Sequence, residues 1–128
     1  MWFGGKQSMK FVEINFTEDS KRDYDGLPAK LHAECTELLK KLKKAGKKLG
    51  KPLEDKHDMD LRGYYKLYFD EARYRVVYKL QGETIEITEI GEVLKEILEI
   101  VGIGKRDKEL IYKLIWERVS GQADDVDV

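Results

Sequence analysis

Apolar residues along this chain recur at two different periods, and the places where one gives way to the other divide it into elements. Lys10-Phe11-Val12-Glu13-Ile14-Asn15-Phe16 alternates at period two and predicts a first strand, with Phe11 or Val12 opening the buried set. Thr17 can cap a short helix over Glu18 to Asp25, which Gly26 breaks. Pro28 suits the first turn of a second helix, where its missing N–H has no partner to lose. Leu27, Leu31, Cys35, Leu38, Leu39, Leu42 and Ala45 then recur at intervals of three and four, giving that helix one apolar stripe. Gly46, Gly50 and Pro52 mark its exit, so the two helices are expected to form a hairpin against a sheet.

After a polar loop from Gly50 to about Asp60, period two returns in Tyr64 to Phe69 and in Tyr74 to Leu80. Asp70-Glu71-Ala72-Arg73 between them is the length of a hairpin connection. Lys66 and Tyr68 fall opposite Tyr65, Leu67 and Phe69. Arg75, Val77 and Lys79 likewise fall opposite Tyr74, Val76, Tyr78 and Leu80. Gln81-Gly82-Glu83 reads as a turn, Thr84 to Ile90 as strand-like, Gly91 as a second turn or bulge, and Ile97 to Ile103 as another strand. Glu92 to Glu96 fits either a strand or a helical turn. Asp107 can cap a final helix over Lys108 to Val119, with Leu110, Ile111, Leu114, Ile115 and Val119 as its apolar arc and Tyr112 and Trp116 one turn apart beside it. The order predicts an α+β domain: a small antiparallel sheet of about four strands, an N-terminal helical hairpin and a C-terminal helix, with helices over one sheet face and the other free to stay open.

Composition narrows the classes. At 128 residues and 41% hydrophobic the chain suits one compact domain over residues 10–119, between a flexible N-terminal segment (1–9) and a flexible acidic tail (120–128). One cysteine, Cys35, rules out an intrachain disulfide framework and sits on the apolar stripe, where burial is the expectation rather than catalysis. No apolar run reaches the roughly 20 residues that span a bilayer, and no signal-peptide pattern opens the chain, so a cytoplasmic protein without membrane contact is expected. Net charge is only -1, but it is unevenly spread: ten Lys or Arg against four acids from Lys40 to Lys66, and six glutamates against one lysine from Leu80 to Ile103. One region is therefore expected to attract phosphate and another to repel it.

Gly102-Ile103-Gly104-Lys105-Arg106 lacks the spacing of a phosphate-binding P-loop, and His32 and His57 have no cysteines to complete a zinc site, so neither metal nor organic cofactor is expected. His32 reads as a helix-surface or interface residue, and His57 as a loop residue either at the surface or beside an RNA-facing site. The cations carry more information. Arg75 lies mid-strand on the face away from Val76 and Tyr78, Lys66 lies on the neighbouring strand, and Lys105-Arg106 lies at a strand-to-helix junction. A long charged side chain in a sheet is costly unless it meets water or a partner. If that face stays uncovered, these residues form a basic floor with aromatic groups at its edge, suited to phosphate contact and base stacking.

The runs Leu61-Arg62-Gly63-Tyr64-Tyr65-Lys66-Leu67-Tyr68-Phe69, Tyr74-Arg75-Val76-Val77-Tyr78-Lys79 and Ile103-Gly104-Lys105-Arg106-Asp107-Lys108-Glu109-Leu110-Ile111-Tyr112 resemble the RelE/ParE superfamily of bacterial toxins, the RelE-like mRNA interferases most closely. The resemblance covers roughly Lys10 to Val119 and implies a type II toxin with a cognate antitoxin that cuts mRNA in the ribosomal A site by attack of the messenger's own 2'-hydroxyl. It implies that Arg75 stabilises the transferring phosphate, that Arg106 neutralises the transition state or protonates the 5'-oxygen, that Tyr112 orients or stacks the substrate, and that Lys66 or a neighbour such as His57 activates the nucleophile. Arg62, Tyr68, Lys105 and His57 are the expected RNA contacts. Three departures stand out: Tyr68 occupies the position of a second lysine, a glutamate-rich stretch over about Thr84 to Glu96 is inserted between central strands, and the pI of about 6.2 is low. The ParE branch, whose members poison DNA gyrase, and an inactive phage- or element-borne interaction module of the same fold are the rival readings.

Overall fold

A computed structural model describes residues 9–53, 62–88, 91–105, 113 and 115–118. In chain order these form β1 (Met9–Phe16), α1 (Glu18–Asp25), α2 (Ala29–Ala45), a 3-10 turn (Lys47–Leu49), β2 (Lys51–Pro52), β3 (Tyr64–Phe69), β4 (Tyr74–Thr88) and β5 (Gly91–Lys105). Residues 113 and 115–118 are helical, within the expected C-terminal helix. One five-stranded sheet runs β1-β5-β4-β3-β2.

The α+β architecture stands, but the sheet is mixed and five-stranded rather than antiparallel with about four strands. β1 pairs in parallel with β5, from Met9 opposite Val93 to Phe16 opposite Ile100. The helical hairpin explains this. It carries the chain from β1 across the sheet, and the β3-β4-β5 meander then returns it beside β1 in the same direction. Gln81-Gly82-Glu83 is not a turn; it lies inside β4, with Gln81 as the extra residue where the register shifts between Leu80 and Gly82. The glycine and flanking polar residues that imitate a turn here mark a bulge. Hence Thr84 to Thr88 continues β4, the ambiguous stretch at Glu92 to Glu96 belongs to β5, and Gly91 opens that strand.

Both helices lie on one face. Thr17 caps α1 as expected: its Oγ1 accepts from Ser20 N at 3.0 Å, while Ser20 Oγ accepts from Thr17 N at 2.9 Å. Pro28 stands one position earlier than expected, at the N-cap of α2. The stripe of α2 places Cys35 and Leu42 fully out of solvent against Val12, Leu67, Val76, Tyr78, Leu98 and Ile100. Burying each large apolar side chain contributes about 1.5–3 kcal/mol. Burial pushes the Cys35 thiol up to about 12, so it remains protonated and inert. Tyr78 is held as firmly: its hydroxyl donates to Lys47 O at 2.6 Å, accepts from Gly50 N at 2.9 Å, and its ring stacks on Tyr65. His32, on α2, packs its ring against that of Tyr24, centroids 4.1 Å apart and planes tilted by 33°.

The glutamate-rich stretch is the far half of the β4–β5 hairpin, and polar contacts tie it to the end of α2. Glu83 and Glu96 face each other across the hairpin, an unfavourable pair of like charges unless each is compensated. Lys47 Nζ lies 3.2 Å from Glu83, Lys47 N donates to Glu96 Oε1 at 2.9 Å, and Lys10 Nζ lies 3.5 Å from Glu96 while donating to Ala45 O. Gly46 permits this approach. Its φ of 79° is left-handed, and a Cβ there would collide with Glu96 Oε1 and the Lys10 side chain.

Candidate functional site

The opposite face of the sheet holds the candidate chemistry, and its layout follows from strand register. Tyr68 is paired with Arg75, Lys66 with Val77, and Arg75 with Gly104 on its other side. Side chains of paired residues share a face, so Lys66, Tyr68 and Arg75 stand together over β3 and β4. The Lys66 ammonium lies 5.7 Å and the Arg75 guanidinium 5.5 Å from the centroid of the Tyr68 ring. Arg75 is only 5% exposed, so its charge acts where water screens it little. Gly104 opposite it contributes no side chain to compete for that space.

This face is not open throughout, as the sequence suggested. Val77, Val101, Leu53 and Ile115 form a second buried cluster, with Tyr64 and Trp116 packed against it. Val101 reaches it as the extra residue of a second bulge, where the register shifts between Val77 and Tyr78. Gly102 gives the C-terminal helix room to land, since a Cβ there would collide with Ile115 Cδ1. Ile115 was expected on the helix's apolar arc and is buried, but which sheet face it would choose was not legible. The cluster divides the face. On one side are Lys66, Tyr68 and Arg75; on the other a pocket of about 110 Å³ is lined by Thr17, Asp19, Tyr64, Lys79, Glu99, Val101 and Arg118. There burial, and then Glu99, raise the Tyr64 phenol, and the Lys79 ammonium lies 5.8 Å from its ring.

Of the remaining predicted residues, Arg62 is exposed in the turn before β3. Lys105, exposed at the end of β5, is paired with Tyr74, which places it by register on the helix-covered side rather than beside Arg75. His57, Arg106 and Tyr112 lie outside the described residues. Among the described residues no group of three His, Cys, Asp or Glu could hold a metal ion, and no helix is long and apolar enough to cross a membrane.

Sequence reasoning missed a polar lock at the edge of β5. Beyond Ile100, α1 takes the place of β1: Ile100 O accepts from Thr17 N and Ser20 Oγ, and Asp23 Oδ2 accepts from Ile103 N at 3.1 Å. Arg118 grips Asp23 with two nitrogens, at 2.8 and 3.1 Å, and donates to Val101 O at 3.0 Å. Its hydrogen bonds to Asp23 raise the guanidinium pKa further. Asp23 and Arg118 lie 95 residues apart, and nothing local signals that they meet.

Element order, the mixed sheet and the helices on either side define the fold of RelE/ParE-type toxins. Three solved structures show the likeness. The toxin–antitoxin complex RelBE2 of Mycobacterium tuberculosis is similar over 75% of this chain and 99% of that one, with 22% identity and a TM-score of 0.53. A free double mutant of the Escherichia coli toxin RelE matches over 85% and 98%, at 16% identity and a TM-score of 0.54. A YoeB/ParE toxin of Agrobacterium tumefaciens matches over 74% and 99%, at 22% identity and a TM-score of 0.53. No family model and no curated protein matches the chain.

Proposed function

We propose that this protein is the toxin of a type II toxin–antitoxin pair and acts as a metal-independent endoribonuclease on mRNA being translated. One observation carries the reading: a buried arginine and a lysine from adjacent strands converge on one aromatic ring, on the face away from the helical layer. A phosphodiester under attack by its own 2'-hydroxyl gathers negative charge, and cations fixed in advance favour that state over the ground state. Arg75 receives the scissile phosphate, Lys66 assists the nucleophile, Arg106 neutralises the transition state and Tyr112 orients the substrate. Arg106 acts by charge rather than by proton transfer, since a guanidinium holds its protons too tightly to be a good acid. Arg62 and His57 would add contacts to the RNA.

The glutamates of the hairpin do not oppose this reading. Glu83 is eight residues along β4 from Arg75, roughly 26 Å at about 3.3 Å per residue. The screening length at physiological salt is only about 8 Å. An antitoxin partner is part of the proposal, because the M. tuberculosis relative is a toxin–antitoxin complex. The exposed Lys40, Lys41, Lys43, Lys44 and Lys48 suit an acidic partner segment.

The test is primer-extension mapping of mRNA ends after induced expression. Wild type is expected to generate new 5' ends within translated regions, and Arg75→Ala and Arg106→Ala each to lose about 100-fold or more of that cleavage. Growth arrest by the double variant equal to wild type would reject the reading. Tyr68 in place of a second lysine, together with the likeness to a YoeB/ParE toxin, supports a gyrase-poisoning alternative, which accumulation of gyrase-linked DNA breaks without new mRNA ends would establish.

A further inference from the structure

We propose that Tyr68 is a positioning residue for the cationic site, its ring holding Arg75 and Lys66 together; this rests on the RNA-cleavage reading above. The resembled pattern has a lysine where Tyr68 stands, so the residue is not explained by that pattern. Its surroundings offer an explanation. Register fixes Arg75 directly across from Tyr68, and Lys66 is two residues before it on the same face. Both cations lie within the roughly 6 Å at which a ring quadrupole attracts a positive charge.

Two cations meant for one phosphate repel each other before the phosphate arrives. A third cation at position 68 would add to that repulsion, whereas an electron-rich ring offsets it without a carboxylate that would compete with the substrate. The ring also restricts Arg75, a side chain with many rotamers whose barely exposed head must point one way to serve a transferring phosphate. A ring engaged with both cations is a poor platform for stacking a base, so Tyr68 is assigned to the protein's own side chains rather than to direct RNA contact. Positioning of this kind is done by the ring, so Tyr68→Phe should keep it, which separates it from proton transfer by the phenol.

The discriminating series is wild type, Tyr68→Phe and Tyr68→Leu in the full chain. Two readouts are needed: the ring-current shifts of Arg75 Hε and the Lys66 side-chain methylenes by NMR, and kcat and KM for cleavage of a translated mRNA. Tyr68→Leu is expected to lose the upfield shifts and about 10- to 100-fold in kcat, with KM changed less than threefold, and Tyr68→Phe to retain both. Wild-type kcat in Tyr68→Leu, a change confined to KM, or a loss in Tyr68→Phe equal to that in Tyr68→Leu would each overturn the proposal; the last two would mark base stacking and phenol chemistry respectively. Absence of ring-current shifts in wild type refutes the positioning whatever the activity. Absence of cleavage by wild type with the shifts present refutes the cleavage reading instead, together with any catalytic role for Tyr68, so the two failures are distinguishable.

Discussion

The two faces of β4 make opposite use of the same strand. Toward the helices, Tyr74, Val76, Tyr78 and Leu80 pack on α2 and its neighbours, and the hydroxyl of Tyr78 has both a donor and an acceptor. Away from them, Arg75 buries a full charge beside an aromatic ring and a second cation, while Val77, two residues on, lies under Ile115. The first face is arranged for stability. The second gives up close packing at one end to keep fixed charge where water has little access. A strand can do both because alternation makes its two faces independent.

If that contrast is right, substitutions should separate into those that slow the chemistry and those that weaken the fold. The largest effect is expected from Arg75→Ala: a cleavage loss of about 10²- to 10³-fold, or roughly 3–4 kcal/mol in activation free energy, with the urea midpoint nearly unchanged. Leu42→Ala should do the reverse, costing about 2–5 kcal/mol of unfolding free energy by urea titration while the folded fraction cuts at the wild-type rate. A cleavage defect in folded Leu42→Ala would break the comparison. Asp23→Ala should cost less, about 1–3 kcal/mol, by leaving the amide of Ile103 without its acceptor and removing two of the hydrogen bonds of Arg118.

Alkaline pH probes the covered face through Cys35 and Tyr78, and the other face through Tyr64, whose phenol burial also raises. The Cys35 thiol is held up at about 12, against 9.0 for an ordinary thiol, and the Tyr78 phenol at about 12, against 10.0. Both groups ionise more readily in the unfolded chain. Their contribution is therefore complete below about pH 9 and is lost as pH rises from 9 toward 12. Unfolding free energy measured across that window should fall, and Cys35→Ala should fall less steeply. The smallest effect concerns the turn joining β3 to β4, where Asp70, Glu71 and Ala72 all have positive φ, from 53° to 67°. Ala72→Gly should raise stability by about 1 kcal/mol by relieving one left-handed residue, part of the gain being offset by the freer unfolded chain.

Much of this was legible in order and in face. Period two gave β1, β3 and the first half of β4, period 3.6 gave α2, and alternation set Lys66, Tyr68 and Arg75 opposite the core. Pairing across long separations was not legible. The parallel match of β1 to β5 depends on where the meander ends, and residues that bulge and residues that turn share a composition, which is why Gln81-Gly82-Glu83 misled. Glu96 read as part of an ambiguous polar stretch, yet it is 1% exposed, because its compensating groups come from Lys10 and from Lys47 in the 3-10 turn after α2. At the site, the stack of both cations on Tyr68 needed the register of β3 on β4, which sequence alone left unset.

The contacts of Asp23 and Arg118 with β5 also govern how this sheet can grow. A visiting peptide that adds itself as a strand needs a run of vacant amides and carbonyls. From Ile100 to Ile103 that run is already occupied: the first carbonyl by Thr17 and Ser20, the next by Arg118, and the last amide by Asp23. Recruitment by strand addition is therefore refused along that stretch, and a partner approaching there must recognise side chains instead.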